Sequence, residues 1–191
     1  MTEEKKGFRL DWATLRLAVI LFAFAAVVAV LLGLVNRLTS GRIEAFEAEK
    51  TASAMNAVLP AESYVPVVGS SAEKIDLVKE IYAADDKGWV LMVTPSGFGG
   101  ELKLAVGVDK AGSVTGVSII QMSETSGLGA NANRESFRSQ YVGKSGSVAL
   151  RKQGGEIDAL TGATVTSTAV TKGVNAALAA AGELIREGAG A

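Results

Sequence analysis

Residues 158–167 read Asp158-Ala159-Leu160-Thr161-Gly162-Ala163-Thr164-Val165-Thr166-Ser167, a hydroxyl-rich stretch of small residues ahead of an apolar-periodic one. The first N–H groups of a helix lack intrahelical partners and sit at the positive end of its dipole. A turn of this kind leading into a helix is therefore a natural seat for a phosphate. Gly162 and Ala163 let the backbone come close, while Thr161, Thr164, Thr166 and Ser167 offer hydroxyls to phosphate oxygens or as attachment points. The same residues also suit plain helix capping, for which Ser and Thr are preferred. From the residues alone both readings stand. A Walker A loop is excluded, because no Gly-Lys pair follows four spacer residues.

The rest of the composition narrows the chemistry. The chain has no Cys and no His. Disulfides, Cys/His zinc sites, thiolate-held iron–sulfur clusters, His-ligated haem and Ser-His-Asp catalysis are excluded. Any redox chemistry must come from an organic cofactor. With 19 Lys plus Arg against 20 Asp plus Glu, no basic excess marks a nucleic-acid binder.

The pattern Asp158-x-x-Thr161-Gly162-Ala163-Thr164-x-Thr166 resembles the flavinylation motif of the FMN-binding domain shared by RnfG and NqrC proteins. The resemblance implies that Thr166 carries one FMN through a phosphoester bond, installed by a dedicated flavin transferase using FAD. It also implies that Asp158, Thr161, Gly162, Ala163 and Thr164 shape the site. Residues 123–130, Ser-Glu-Thr-Ser-Gly-Leu-Gly-Ala, are similar to the family's Ser-Glu-Thr-Pro-Gly-Leu-Gly loop, with Ser126 in place of Pro and Met122 where His often occurs. By that likeness the loop lies against the flavin, with Glu124 and Thr125 hydrogen-bonding the ring and Leu128 packing on it. A plain glycine turn is the competing reading. Gly97-Phe98-Gly99-Gly100 resembles the family's Gly-Tyr-Gly-Gly hairpin, where a need for positive φ is reason enough for glycine.

These residues need a frame. Strands are expected over residues 77–84, 89–94, 102–108 and 114–122, separated by Asp/Gly/Pro-rich turns. Short turns imply antiparallel pairing, and strands followed by a helix give an α+β domain. A short helix is expected over 134–141, a last strand over 147–151, and a C-terminal helix over 168–187. Val170, Val174, Ala177, Leu178, Ala181, Leu184 and Ile185 form the apolar face of that helix. Trp89, Phe137 and Tyr141 read as core, Glu135 and Arg138 as a solvated face, and residues 62–71 as loop.

Residues 17–35, LAVILFAFAAVVAVLLGLV, carry no charge. At 1.5 Å per residue such a run covers roughly the 30 Å hydrocarbon core. Arg16 and Arg37 bracket it, Trp12 suits the interface, and no small-x-small cleavage site follows. The expected layout is a cytoplasmic N-terminus over 1–14, a transmembrane helix over 15–38, a helical stalk and linker over 39–76 ended by Pro60, and an FMN-binding domain over 77–191. Lys5, Lys6, Arg9 and Arg16 before the span slightly favour an N-terminus in the cytoplasm and the domain on the extracytoplasmic side of the cell membrane.

The length fits RnfG better than NqrC. The resemblance therefore implies an electron-carrying, phosphoester-modified flavoprotein subunit of the Rnf complex, an ion-translocating ferredoxin:NAD oxidoreductase. Its partners would be RnfA, RnfB, RnfC, RnfD and RnfE, the flavin transferase and the lipid bilayer, with no independent turnover, no metal and no nucleic acid. The alternatives are the NqrC component of the Na⁺-translocating NADH:quinone reductase and, in another class, a membrane-tethered binding or scaffold module without cofactor.

Overall fold

The computed structural model describes residues 12–188. The chain divides into two compact units, residues 1–48 and residues 49–191. The first described element is a single helix, α1 (Trp12–Val58). The helical part of the expected stalk is thus continuous with the apolar run and is no separate element. It stops ahead of Pro60, which cannot continue a helix. In the first unit α1 includes an 18-residue window of mean hydropathy 3.0, none of it buried, so it is long and apolar enough to cross a membrane. Lys5, Lys6 and Arg9, which favour a cytoplasmic N-terminus, lie outside the described residues.

The second unit is built on a five-stranded antiparallel sheet in the order β1 (Tyr64–Pro66), β2 (Val78–Ala84), β3 (Gly88–Val93), β4 (Lys103–Asp109) and β5 (Val114–Gln121). Four of the strands lie where the strand-like runs between turn residues place them. The fifth, β1, falls in the stretch expected as loop. It is three residues long and ends in Pro66, tolerable only because β1 is an edge strand.

Helix α3 (Thr164–Glu187) covers one face of the sheet. Val170, Val174, Ala177, Ala181 and Leu184 bury against Trp89, Leu91, Val93, Leu104 and Val106. The last turn of α1 covers the opposite face, where Ala54, Met55, Val58 and Leu59 meet Ala84, Val90, Met92 and Ala105. Burial on both faces explains why every residue of β3 is buried and its sequence shows no alternation. The Thr115 hydroxyl donates to the Val58 carbonyl at 2.6 Å, satisfying one of the free carbonyls at the end of α1.

Two expectations need correction. Residues 147–151 form no strand. Leu150 makes a single parallel bridge with Ile157, and the chain then turns through Arg151–Gln153 to Gly154, which has a φ of +85°. Arg138, expected on a solvated face at the end of α2 (Glu135–Arg138), is half-buried. Its guanidinium donates to the Val117 carbonyl at 2.9 Å and the Asn133 carbonyl at 3.0 Å, tying α2 to β5. Trp89, Phe137 and Tyr141 are core as expected, the last two packed edge to face.

Candidate functional site

Helix α3 begins four residues earlier than its apolar periodicity suggests, so Thr164 and Thr166 fall in its first turn. Ala163 occupies the N-cap and contributes no side-chain hydrogen bond. The hydroxyls of Ser167 and Thr168 are occupied elsewhere. Ser167 Oγ donates to the Ala163 carbonyl and accepts from the Leu160 N–H, both at 2.9 Å, and Thr168 Oγ1 donates to the Thr164 carbonyl at 2.8 Å. Such back-bonding is typical of Ser and Thr in helices. The first N–H groups of α3 are therefore not capped by a side chain of the motif, and plain capping does not account for its threonines.

Thr166 behaves differently from its neighbours. Its side chain is buried, and its Oγ1 donates 2.9 Å to Glu124 Oε2 across 42 residues of sequence. Glu124 stands on the loop after β5. Its other oxygen, Oε1, accepts from the backbone N–H groups of Phe98 at 2.8 Å and Gly99 at 3.2 Å. One carboxylate thus ties the glycine-rich turn between β3 and β4 to the first turn of α3. The turn permits this through Gly97, where a Cβ would fall on Glu124 Oε1. Positive φ, the reason expected for glycine in this turn, applies to Gly100 at +141° and not to Gly97.

These elements enclose an open cleft of about 380 Å³ lined by Phe98, Glu124, Thr125, Leu128, Gly129 and residues 162–166. That size falls within the range of small-molecule sites. Its walls divide by chemistry. Phe98, Leu128 and Val165 are exposed apolar side chains, whereas Thr166 and the start of α3 are polar. At Gly162, with a φ of +74°, a Cβ would crowd Leu128 Cδ2 at 3.0 Å.

The residues singled out in the sequence separate into two groups. Gly162, Ala163, Thr164, Thr166, Glu124, Thr125 and Leu128 all line the cleft. Asp158 and Thr161 are exposed and do not line it. Asp158 pairs with Arg151, accepting from Nε at 2.6 Å and from an Nη at 3.2 Å, and this pairing holds its carboxyl below the usual carboxylate range. Its backbone N–H donates to Gln140 Oε1 at 2.7 Å. Phe98 and Val165 are cleft residues that sequence reasoning does not assign to the site. The Gly-Phe-Gly-Gly turn is the available signal for Phe98. Val165 carries none, being an apolar residue between two threonines.

The cleft suits a flavin phosphate on its own features. It offers a hydroxyl at the wall, uncapped N–H groups beside it for an anion, and apolar side chains for a planar ring. Among the described residues no group of acidic side chains could hold a metal ion.

Two sequence families match this chain. The FMN-binding domain covers residues 97–179, a span holding every lining residue of the cleft, and the RnfG N-terminal region covers residues 7–58. The G subunit of the Na(+)-translocating ferredoxin:NAD(+) oxidoreductase complex of Acetobacterium woodii is 36% identical over 91% of this chain and 94% of its own length. The G subunit of the ion-translocating oxidoreductase complex of Pseudomonas aeruginosa is 33% identical over 86% of both chains. That of Methanosarcina acetivorans is 30% identical over 85% of this chain and 92% of its own. A crystal structure of the C subunit of Na(+)-translocating NADH-quinone reductase from Parabacteroides distasonis is 20% identical, with a TM-score of 0.49, over 68% of this chain and 79% of that one. With an FMN-binding domain over its cleft and relatives of this identity matched almost end to end, the chain belongs to the RnfG family, the G subunits of ion-translocating oxidoreductase complexes.

Proposed function

We propose that this chain is an electron-carrying subunit of a membrane-bound ferredoxin:NAD oxidoreductase, holding one FMN through a phosphoester on Thr166. The supporting observation is that Thr166 lines the cleft at the uncapped start of α3. In that role the N–H groups of the first turn of α3 face the phosphate. Phe98, Leu128 and Val165 would shield the ring from water, and Thr125 would offer it a hydrogen-bonding hydroxyl from the same lining. When bound, the isoalloxazine supplies one- and two-electron redox chemistry, tuned by the hydrogen bonds around it. A covalent tether keeps the cofactor with a domain facing an open compartment and at high effective concentration near its redox partners.

The apolar part of α1 anchors the protein. Arg16 and Arg37 sit at the two interfaces, the N-terminus is cytoplasmic, and the FMN domain over residues 77–191 is extracytoplasmic. The other Rnf subunits are its partners, and a flavin transferase matures it. Family membership favours this assembly over the NADH:quinone reductase.

Intact mass of the chain from native membranes tests the reading. One FMN less water should be added, peptide mapping should place it on Thr166, and Thr166→Ala should abolish it. A Thr166→Ala chain that stays yellow after denaturation would overturn the assignment.

A further inference from the structure

A buried hydroxyl at the wall of a cleft is a poor nucleophile unless a base removes its proton. Thr166 already has one within reach. Glu124 Oε2 accepts its proton at 2.9 Å, inside the 2.6–3.2 Å window typical of a nucleophile and its base. The base is itself aimed by a third group, because the Phe98 and Gly99 N–H groups hold Oε1 and leave Oε2 for Thr166. Glycine is required around the pair. A Cβ at position 97 would displace Oε1, and one at position 129 would crowd Oε2 and stand 2.7 Å from Thr166 Oγ1. A carboxylate serving only to join two loops would need neither the hydroxyl contact nor the clearance at position 129. Nucleophile, base and orienting donors together make a catalytic arrangement within the acceptor chain.

We propose that Glu124 is the general base for the attachment of flavin to Thr166, so that the chain contributes a catalytic residue to its own maturation. The proposal rests on Thr166 being the attachment site. Thr166 Oγ1 forms a bond to the flavin-side phosphorus of a flavin dinucleotide presented by the transferase. The phosphoanhydride bond to that phosphorus breaks, and the nucleoside monophosphate leaves with the bridging oxygen and the electron pair. The hydroxyl proton passes to Glu124 Oε2, and no atom changes oxidation state. The uncapped N–H groups at the start of α3 would be available to the phosphoryl oxygens as charge builds on them. Once Oγ1 is esterified it has no proton to donate. Glu124 then remains anchored through Oε1 to the glycine-rich turn.

The full-length chain in detergent, mixed with purified flavin transferase and FAD, gives the rate of covalent flavin gain by in-gel fluorescence and intact mass. Glu124→Gln preserves shape, and its carbonyl oxygen still accepts from Phe98 and Gly99, so its melting curve should match wild type. At saturating FAD and transferase its rate should fall by about 100-fold or more, the usual contribution of a general base, with the half-saturating transferase concentration unchanged. Glu124→Ala should recover rate as formate is added. Wild-type rates for Glu124→Gln, or a loss appearing only as a higher half-saturating concentration, would overturn the proposal. Thr166→Ala is the separating control. Flavin gained by that variant sinks the attachment site itself, whereas none gained alongside a fully active Glu124→Gln sinks only the base.

Discussion

Gly129 approaches Thr166 so closely that a Cβ there would stand 2.7 Å from the hydroxyl oxygen, and closer still to Glu124 Oε2. Both atoms belong to side chains, and Glu124 has rotatable bonds to give way. Gly129→Ala should therefore fold, with the Thr166–Glu124 hydrogen bond broken by displacement of the carboxylate. The expected result is a melting temperature near wild type and covalent flavin gain slowed about as far as in Glu124→Gln. In-gel flavin fluorescence against time, beside a thermal melt, measures both. Flavin gain at the wild-type rate would mean that the pair tolerates the methyl group.

Much of this site is legible in the sequence because its parts are local. The helix start, the glycine-rich loop after β5 and the turn between β3 and β4 each declare themselves within a short stretch of chain. Their convergence is not legible. The hydrogen bonds that join them run from Phe98 to Glu124 and from Thr166 to Glu124, over 26 and 42 residues, and no periodicity encodes which carboxylate oxygen meets which donor. The same distinction governs the fold. Strands β2 to β5 follow their own turn chemistry, so they read well. The burial of β3 on both faces depends on the last turn of α1, which the sequence presents only as part of a stalk. The start of α3 reads late because Thr164 to Ser167 lack the apolar spacing that marks its later turns. The short edge strand β1, carrying Pro66, resembles a loop in every local respect.

Tyr141 gives the protein a measurable response at alkaline pH. Its ring is fully buried, which pushes the phenol from 10.0 up to about 12, while the hydrogen bond to Thr171 Oγ1 at 2.9 Å pulls the other way. A folded-state value above the unfolded one means the unfolded chain releases the proton first as pH rises. Stability from this group is complete below pH 10 and is lost progressively toward pH 12. The full loss is on the order of 2–3 kcal/mol, from about 1.36 kcal/mol per pH unit. Urea melts at about pH 9 and about pH 11.5 should show the decline in the wild-type chain. Tyr141→Phe should show a smaller one, while Thr171 stays satisfied by donating to the Ser167 carbonyl at 2.9 Å.

Gly173 sets how closely α3 lies on the sheet. A Cβ there would meet Leu104 Cδ1 at 3.0 Å and the side chains of Pro95 and Val93 at 3.1 Å. None of the three is a backbone atom, and shifts of a few tenths of an ångström by Leu104, Val93 and the Pro95 ring accommodate one methyl. The gain in helix propensity of about 1 kcal/mol for Ala over Gly roughly offsets that crowding. A larger side chain has nowhere to go. Gly173→Ala should melt near the wild-type temperature, whereas Gly173→Leu should be destabilised by about 1–3 kcal/mol through overpacking. Because α3 carries Thr166, flavin gain by Gly173→Leu should fall as well. A Leu variant as stable as wild type would show that the helix can lift without cost.

Asp158 belongs to the motif by sequence and yet stands outside the cleft. Both of its carboxylate oxygens are engaged by Arg151 in a forked pairing, and its backbone is held by Gln140. Its effect on the site then runs through the placement of residues 158–163 ahead of α3, and Arg151 should matter as much as Asp158 itself. Asp158→Asn and Arg151→Gln are each expected to slow flavin gain to a similar degree. The double variant should be no slower than either, because partners in one interaction do not add. Both residues are well exposed, so the melting temperature should hardly move. The rate of covalent flavin gain in the two single variants and the double variant measures the coupling. A defect confined to Asp158→Asn would mean that this carboxylate is read directly by the transferase, with Arg151 a bystander on the surface.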